Sequence, residues 1–251
     1  MCGRYAITLP PDAYRQALGF EERPNFPPRY NVAPTQAVPV VRLEEGRRHF
    51  RLMRWGFLPG WVKDPKEFPL VINARGETLL EKPTFRNAVR RRRCVFLADG
   101  FYEWRREGRA KAPFLIRPVD RGPLLMAGLW ETYHGTDGAE IDTAAIVTTS
   151  ANGAVAAVHD RMPVILGRDG IEPWLAGETV PVEEAMRLVR PCPEDWLDLV
   201  PISSRVNKVE NDDEGVQEPL RASDAEPVPE PGKRDAGTPR STDEDAQGAL
   251  F

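Results

Sequence analysis

Histidine and cysteine are scarce in this chain, three of each among 251 residues, and no two cysteines form a CxxC pair. The wide spacing of Cys2, Cys94 and Cys192 excludes a disulfide scaffold and a cysteine-rich zinc site. No His/Cys/Asp cluster has ligand spacing, so no metal is expected. No apolar run approaches the roughly 18 residues that a membrane crossing needs. The opening Met-Cys-Gly-Arg-Tyr-Ala carries no apolar stretch ahead of a cleavage site, so no secretory signal is expected. Gly56, Gly60 and Gly76 fit neither a dinucleotide fingerprint nor a P-loop. These absences leave a chain of ordinary globular balance, 41% hydrophobic and 29% charged. The expectation is a cytoplasmic protein with reduced thiols, no cofactor and no membrane contact.

The formal net charge of −4 conceals two unlike parts. From Glu210 onward there are twelve acidic and four basic residues, so the preceding body is mildly basic. Composition from about Glu218 turns to Pro, Glu, Asp, Gly, Ser and Thr, with almost nothing to bury, and predicts a disordered acidic tail over 218–251. Within the body, 1–217, short Val/Ile/Leu/Phe-rich runs predict strands at Ala37–Leu43, His49–Trp55, Cys94–Ala98, Phe114–Arg117, Leu124–Trp130, Ala144–Thr149 and Val164–Leu166. Helical patterns are fewer, at Pro11–Leu18, Thr84–Arg92, Asn152–Val158 and Val182–Val189. Strands outnumber helices without alternating with them, which argues against a doubly wound sheet. The expected fold class is α+β: one domain with a curved, mostly antiparallel sheet or open barrel flanked by helices.

Cys2 brings the first chemistry. Removal of Met1 would leave an α-amine and a thiol on one residue, with ordinary pKa values near 7.7–8.0 and about 8.5. Such a 1,2-aminothiol condenses with an aldehyde to an imine, and the sulfur then closes a five-membered thiazolidine. Taken alone, a cysteine at position 2 reads as an accident of composition.

Its company changes that. Cys2-Gly3-Arg4-Tyr5 is followed in order by Tyr30-Asn31-Val32-Ala33-Pro34-Thr35, Trp55-Gly56-Phe57 with Pro59-Gly60-Trp61, and Asn73-Ala74-Arg75-Gly76-Glu77-Thr78. Arg93-Cys94, Asp99-Gly100-Phe101-Tyr102-Glu103-Trp104, His159-Asp160-Arg161-Met162-Pro163 and Val206-Asn207 complete the set. The ordered set resembles the SRAP family of abasic-site-processing proteins, from Cys2 to about Asn211. The resemblance implies binding of single-stranded DNA, as a monomer, and a covalent DNA–protein crosslink between Cys2 and the aldehyde of an abasic site. It extends to AP-lyase and peptidase-like self-processing activities, and to a nucleoid location when DNA is bound.

By the same resemblance Asn73 orients the amine or the sugar, Glu103 moves protons during imine formation, and His159 protonates the opening sugar ring. Arg4, Arg75 and Arg161 would hold phosphates, for which paired guanidinium N–H donors are suited. Trp61 and Phe85 would stack on bases or wedge against a duplex end. Each residue has a plainer reading. Asn73 suits a turn, Glu103 a surface pair with Arg105 or Arg106, His159 a structural role, and Arg90–Arg93 a solvated helix end or a groove border. An N-terminal cysteine peptidase or amidohydrolase with His159 as base is the alternative activity, and a purely non-covalent strand binder is a third.

Overall fold

The computed structural model describes residues 2–220 except Arg109, Thr136, Asp137 and Glu178, together with the backbone but not the side chain of Glu107. The expected tail therefore lies, from Arg221 onward, outside the described residues. In chain order the strands are β1 (Tyr5–Ile7), β2 (Arg29–Val32), β3 (Ala37–Glu44), β4 (Arg47–Trp55), β5 (Asn73–Arg75) and β6 (Arg93–Ala98). They continue with β7 (Gly100–Glu107), β8 (Ala110–Pro118), β9 (Leu124–His134), β10 (Glu140–Ser150), β11 (Arg161–Pro163) and β12 (Leu197–Pro201). The helices are α1 (Pro11–Leu18), α2 (Ala88–Arg91), α3 (Gly153–Ala156), α4 (Arg168–Leu175) and α5 (Val182–Met186).

Five strands form a ring. β10 pairs β9 and β4, β4 pairs β3, β3 pairs β6, and β6 returns to β9. The expected curved, mostly antiparallel sheet thus closes on itself; the closing contact is a short parallel pairing that sets Thr143 and Ala144 beside Arg54 and Trp55. Strands walled in on both sides need apolar runs, and β6 is buried at every position. Space inside is tight: a Cβ on Gly128 would lie 2.6 Å from the Phe96 ring and 2.9 Å from Cys94 Sγ. A second sheet, in the order β12-β8-β7-β1-β2, is antiparallel throughout and carries the chain's first residues. At the start of the expected tail, Pro219 bridges Ile202 and Leu220 N–H donates to Pro201 O at 2.9 Å.

Sequence patterning located most of the barrel and α1, which starts at Pro11 and ends at Gly19 in the left-handed conformation (φ 68°). The Val164–Leu166 strand sits three residues earlier, at Arg161–Pro163, and the helix expected over Thr84–Arg92 contracts to Ala88–Arg91. α4 escaped notice because Gly170 and Pro173 read as loop signals. It stands because Trp174 Nε1 donates to Cys94 O at 2.9 Å and because Arg93 caps its end.

Arg93 is neither a groove border nor a solvated helix end. Fully buried, its guanidinium donates to Val89 O (2.8 Å) and Arg90 O (3.2 Å) at the end of α2, and to Pro173 O (3.4 Å) and Trp174 O at the end of α4. One cation thus satisfies the orphan carbonyls of two helix C-termini, the end where positive charge is favoured. Desolvation pushes its pKa down to about 10, still charged at neutral pH. Arg93→Met should cost about 3 kcal/mol or more, since several buried acceptors lose their donor together. Urea unfolding checks this, and an unchanged midpoint would show that the carbonyls find other partners.

Candidate active site

The second sheet brings the start of the chain to Glu103. Tyr5 lies opposite Phe101 and Ala6 opposite Gly100, and Tyr102 N–H donates to Arg4 O at 2.9 Å. Continuing that antiparallel register sets Gly3 opposite Glu103. The barrel contributes through β10. On one of its edges β5 runs parallel, with Asn73 beside Ile146 and Arg75 beside Thr148. On its other edge β11 places Arg161 beside Ser150, and His159 precedes it in the turn after α3, where its N–H donates to Val155 O at 2.9 Å.

These elements converge. Asn73 Nδ2 donates to Cys2 O at 2.9 Å, joining residues 71 apart in sequence, and Asn73 Oδ1 is buried without a hydrogen-bond partner. Glu103 and His159 line one cavity of about 470 Å³ together with Trp104, Arg106, Lys111 and Asn207. Cys2 is fully buried; desolvation raises its thiol pKa, and the charge of nearby Glu103 raises it further. The thiol is therefore protonated at rest. Glu103 is only 2% exposed, not a surface partner for Arg105 or Arg106, and burial lifts its carboxyl pKa, with the nearby His159 pulling the other way. His159 Nδ1 accepts from Arg161 N–H at 3.0 Å, which assigns the neutral ring's proton to Nε2. When the ring is doubly protonated, Nδ1–H meets Asp160 Oδ1, 2.9 Å away.

The three arginines differ. Arg75 is exposed and, among the described residues, makes no ion pair. Arg161 is committed: its fork binds Glu77 at 2.6 and 2.9 Å, and Nη2 also donates to Thr148 O at 2.9 Å. That pairing holds the Glu77 carboxyl below its ordinary pKa. Arg4 braces the fold, donating from Nη1 to Asn31 Oδ1 (2.7 Å) and Val206 O (2.8 Å). Asn31, buried, donates in turn to Val206 O, Lys208 O and Asn211 O at 3.2, 3.0 and 2.8 Å. This staples the segment after β12 against β2 and sets Asn207 at the cavity, where its Oδ1 accepts from Trp104 Nε1 at 2.7 Å. The sequence motifs contained Asn31, Trp104 and Asn207, but their roles appear only when three separate segments meet.

The two aromatics also part ways. Trp61 is 60% exposed, edge-on to Phe68 at 5.7 Å, and presents a face to solvent. Phe85 is 5% exposed and packs on Phe57 at 5.6 Å, so its expected stacking on a base is corrected to a core role. Phe85, Ala88 and Val89 share one face of the helical turn, the i, i+3, i+4 spacing that buries them together. For the strand binding that the resemblance implies, Trp61→Ala should cost about 1–3 kcal/mol of affinity with unchanged thermal stability. Phe85→Ala should do the reverse, losing about 3–5 kcal/mol of folding stability. Fluorescence anisotropy and thermal melts on the two variants separate these effects; matching profiles would refute the division.

Fold and site together define an α+β barrel protein in which Asn73 holds a buried Cys2 near Glu103, a buried carboxylate that lines a cavity with a histidine, an arrangement suited to thiol chemistry on a small electrophile. The family model described as SOS response associated peptidase (SRAP) matches residues 1–209, and the chain belongs to that family. It is 34% identical to abasic site processing protein YoqW of Bacillus subtilis, over 84% of this chain and 96% of that one. It is 32% identical to YedK of Escherichia coli, over 84% and 96%, and 32% identical to HMCES of Gallus gallus, over 84% and 76%. Among solved structures, a phage-related protein of Bordetella bronchiseptica superposes with a TM-score of 0.66 at 32% identity, covering 80% of this chain and 94% of that one. A protein of Bacteroides thetaiotaomicron shares the fold, with a TM-score of 0.80 at 24% identity over 88% and 100%. No helix among the described residues is long and apolar enough to cross a membrane, and no three His, Cys, Asp or Glu among them are grouped to hold a metal ion.

Proposed function

We propose that this protein binds single-stranded DNA, as a monomer in the cytoplasm and on the nucleoid, and traps abasic sites through Cys2. The family membership and the relatives named abasic site processing proteins support the substrate. The observation that carries the chemistry is Cys2 held by Asn73 beside a buried carboxylate of raised pKa. Doubly protonated His159 gives its Nε2 proton to the ring oxygen as the anomeric hydroxyl proton passes to water, which opens the ring; once Met1 is gone, the α-amine of Cys2 attacks the aldehyde carbon so exposed. The carbinolamine hydroxyl takes a proton from the Glu103 carboxyl and leaves as water, giving an iminium ion and the Glu103 carboxylate. Because the thiol is protonated at rest, sulfur adds last: its proton passes to Glu103 as the C–S bond closes the thiazolidine. The sum is amine, thiol and aldehyde converted to one ring and one water. Asn73 fixes the Cys2 carbonyl through Nδ2 and offers Oδ1 as acceptor to the amine or a sugar hydroxyl.

The phosphates flanking the lesion fall to Arg75 and to the Arg161 N–H groups left by Glu77, while Arg4 holds the wall that faces them. AP-lyase and self-processing activities belong to the same residues as side reactions, with His159 as the acid for elimination. Intact-mass measurement of the crosslinked product tests the proposal. The expected mass is DNA plus protein, less Met1 and one water. An adduct that retains Met1 would overturn the aminothiol chemistry.

A further inference from the structure

Arg106 and Lys111 lie directly opposite each other in the hairpin of β7 and β8, so their side chains share one face of the sheet. Trp104, two residues back along β7, points to that face as well. Both cations line the cavity of Glu103 and His159, both are exposed, and among the described residues neither forms an ion pair. Like charges set opposite one another destabilise a hairpin, and no ion pair among the described residues relieves these two. Among the described residues, the one acidic side chain in that lining, Glu103, is buried in the wall. The pair is therefore arranged for an anion that arrives from outside, close to the reacting centre.

We propose that Arg106 and Lys111 form a second phosphate subsite at the cavity mouth, which grips one phosphodiester adjoining the abasic sugar. This rests on the trapping reading, whose phosphate contacts were Arg75 and Arg161. Those two arginines stand on β5 and β11, flanking β10, whereas the new pair stands on the β7–β8 hairpin of the second sheet. A strand held by both groups has its backbone pinned from two directions, with the reactive sugar between them. Trp104, locked by Asn207, would meet that sugar or the neighbouring base from the same face as the cations.

The test is the salt dependence of binding to a single-stranded oligonucleotide with one central tetrahydrofuran, an abasic analogue without an aldehyde. Binding by R106Q/K111Q should be weaker regardless of base sequence, and the slope of log Kd against log salt should be shallower by about 0.7 for one phosphate released. A neutral methylphosphonate at the flanking position should lower the wild-type slope by the same amount and leave the variant's slope unchanged. R106K/K111R should keep the wild-type slope. An unchanged slope in R106Q/K111Q, with or without weaker binding, overturns the subsite. If wild-type protein instead forms no adduct with an aldehyde-bearing strand, the trapping reading fails while the salt slope still reports on the two cations.

Discussion

Cys2→Ser protein mixed with an abasic oligonucleotide should leave no band that survives denaturation, whereas the same mixture treated with borohydride should yield one. Serine keeps the α-amine, so the imine still forms and hydride fixes it. The neutral hydroxyl is a far poorer nucleophile toward the iminium carbon, so closure to a stable ring is lost and the imine hydrolyses on denaturation. Adduct yield without reductant should fall to background, the largest single effect expected of any substitution here. Folding stability should change by only about 1–2 kcal/mol, because one buried heavy atom is exchanged in a site already lined with polar groups. Denaturing gels with and without reductant, beside a melt, read all three quantities. Full adduct formation by Cys2→Ser without reductant would remove sulfur from the mechanism.

The contrast between Cys2 and Glu103 shows what patterning reaches in this chain. Strands of the closed barrel were legible at 37–43, 94–98, 124–130 and 144–149 because burial on both faces demands apolar runs, whereas 49–55 in the half-exposed β4 was legible from Phe50, Leu52, Met53 and Trp55 among its charges. The three-residue strands β1 and β5 carry no period at all, yet they deliver Cys2 and Asn73 to each other. The hairpin of β7 escaped because its second half, Trp104-Arg105-Arg106-Glu107, resembles a charged loop. With β7 unseen, Glu103 had two arginines for neighbours and read as a surface residue. Once β7 is a strand paired with β1, the same carboxylate is forced inward. Phe85 failed in the opposite sense: its polar neighbours Lys82, Thr84 and Arg86 hid a spacing with Ala88 and Val89 that marks a core face. Chemistry-bearing residues were thus named by ordered motifs, and their environments came from pairings far apart in sequence.

Glu103→Gln isolates what that buried carboxylate does. Gln keeps the volume but cannot take a proton, so crosslinking should slow by about 10²–10⁴-fold, the range for losing a positioned acid–base group. Stability should move the other way, and the sign follows from the raised pKa. Folded Glu103 binds its proton more tightly than unfolded Glu103, whose carboxyl titrates near the ordinary 4.5. Its contribution to stability is therefore fully present below that value and is lost as pH rises through the higher folded value. Above that window the wild-type protein holds a desolvated charge that the Gln variant lacks. The melting temperature of Glu103→Gln should then exceed that of wild type at pH 8 by more than it does at pH 4, with the gap flat once the carboxyl is fully ionised. Melts at the two pH values, with adduct formation timed on the same samples, decide the matter. A gap that does not change with pH would mean the carboxylate is not strained by burial, and an unchanged rate would mean the proton leaves the thiol by another route. A more stable but slow variant would show that the carboxylate is kept inside against the fold's own preference because the ring-closing step needs a base there.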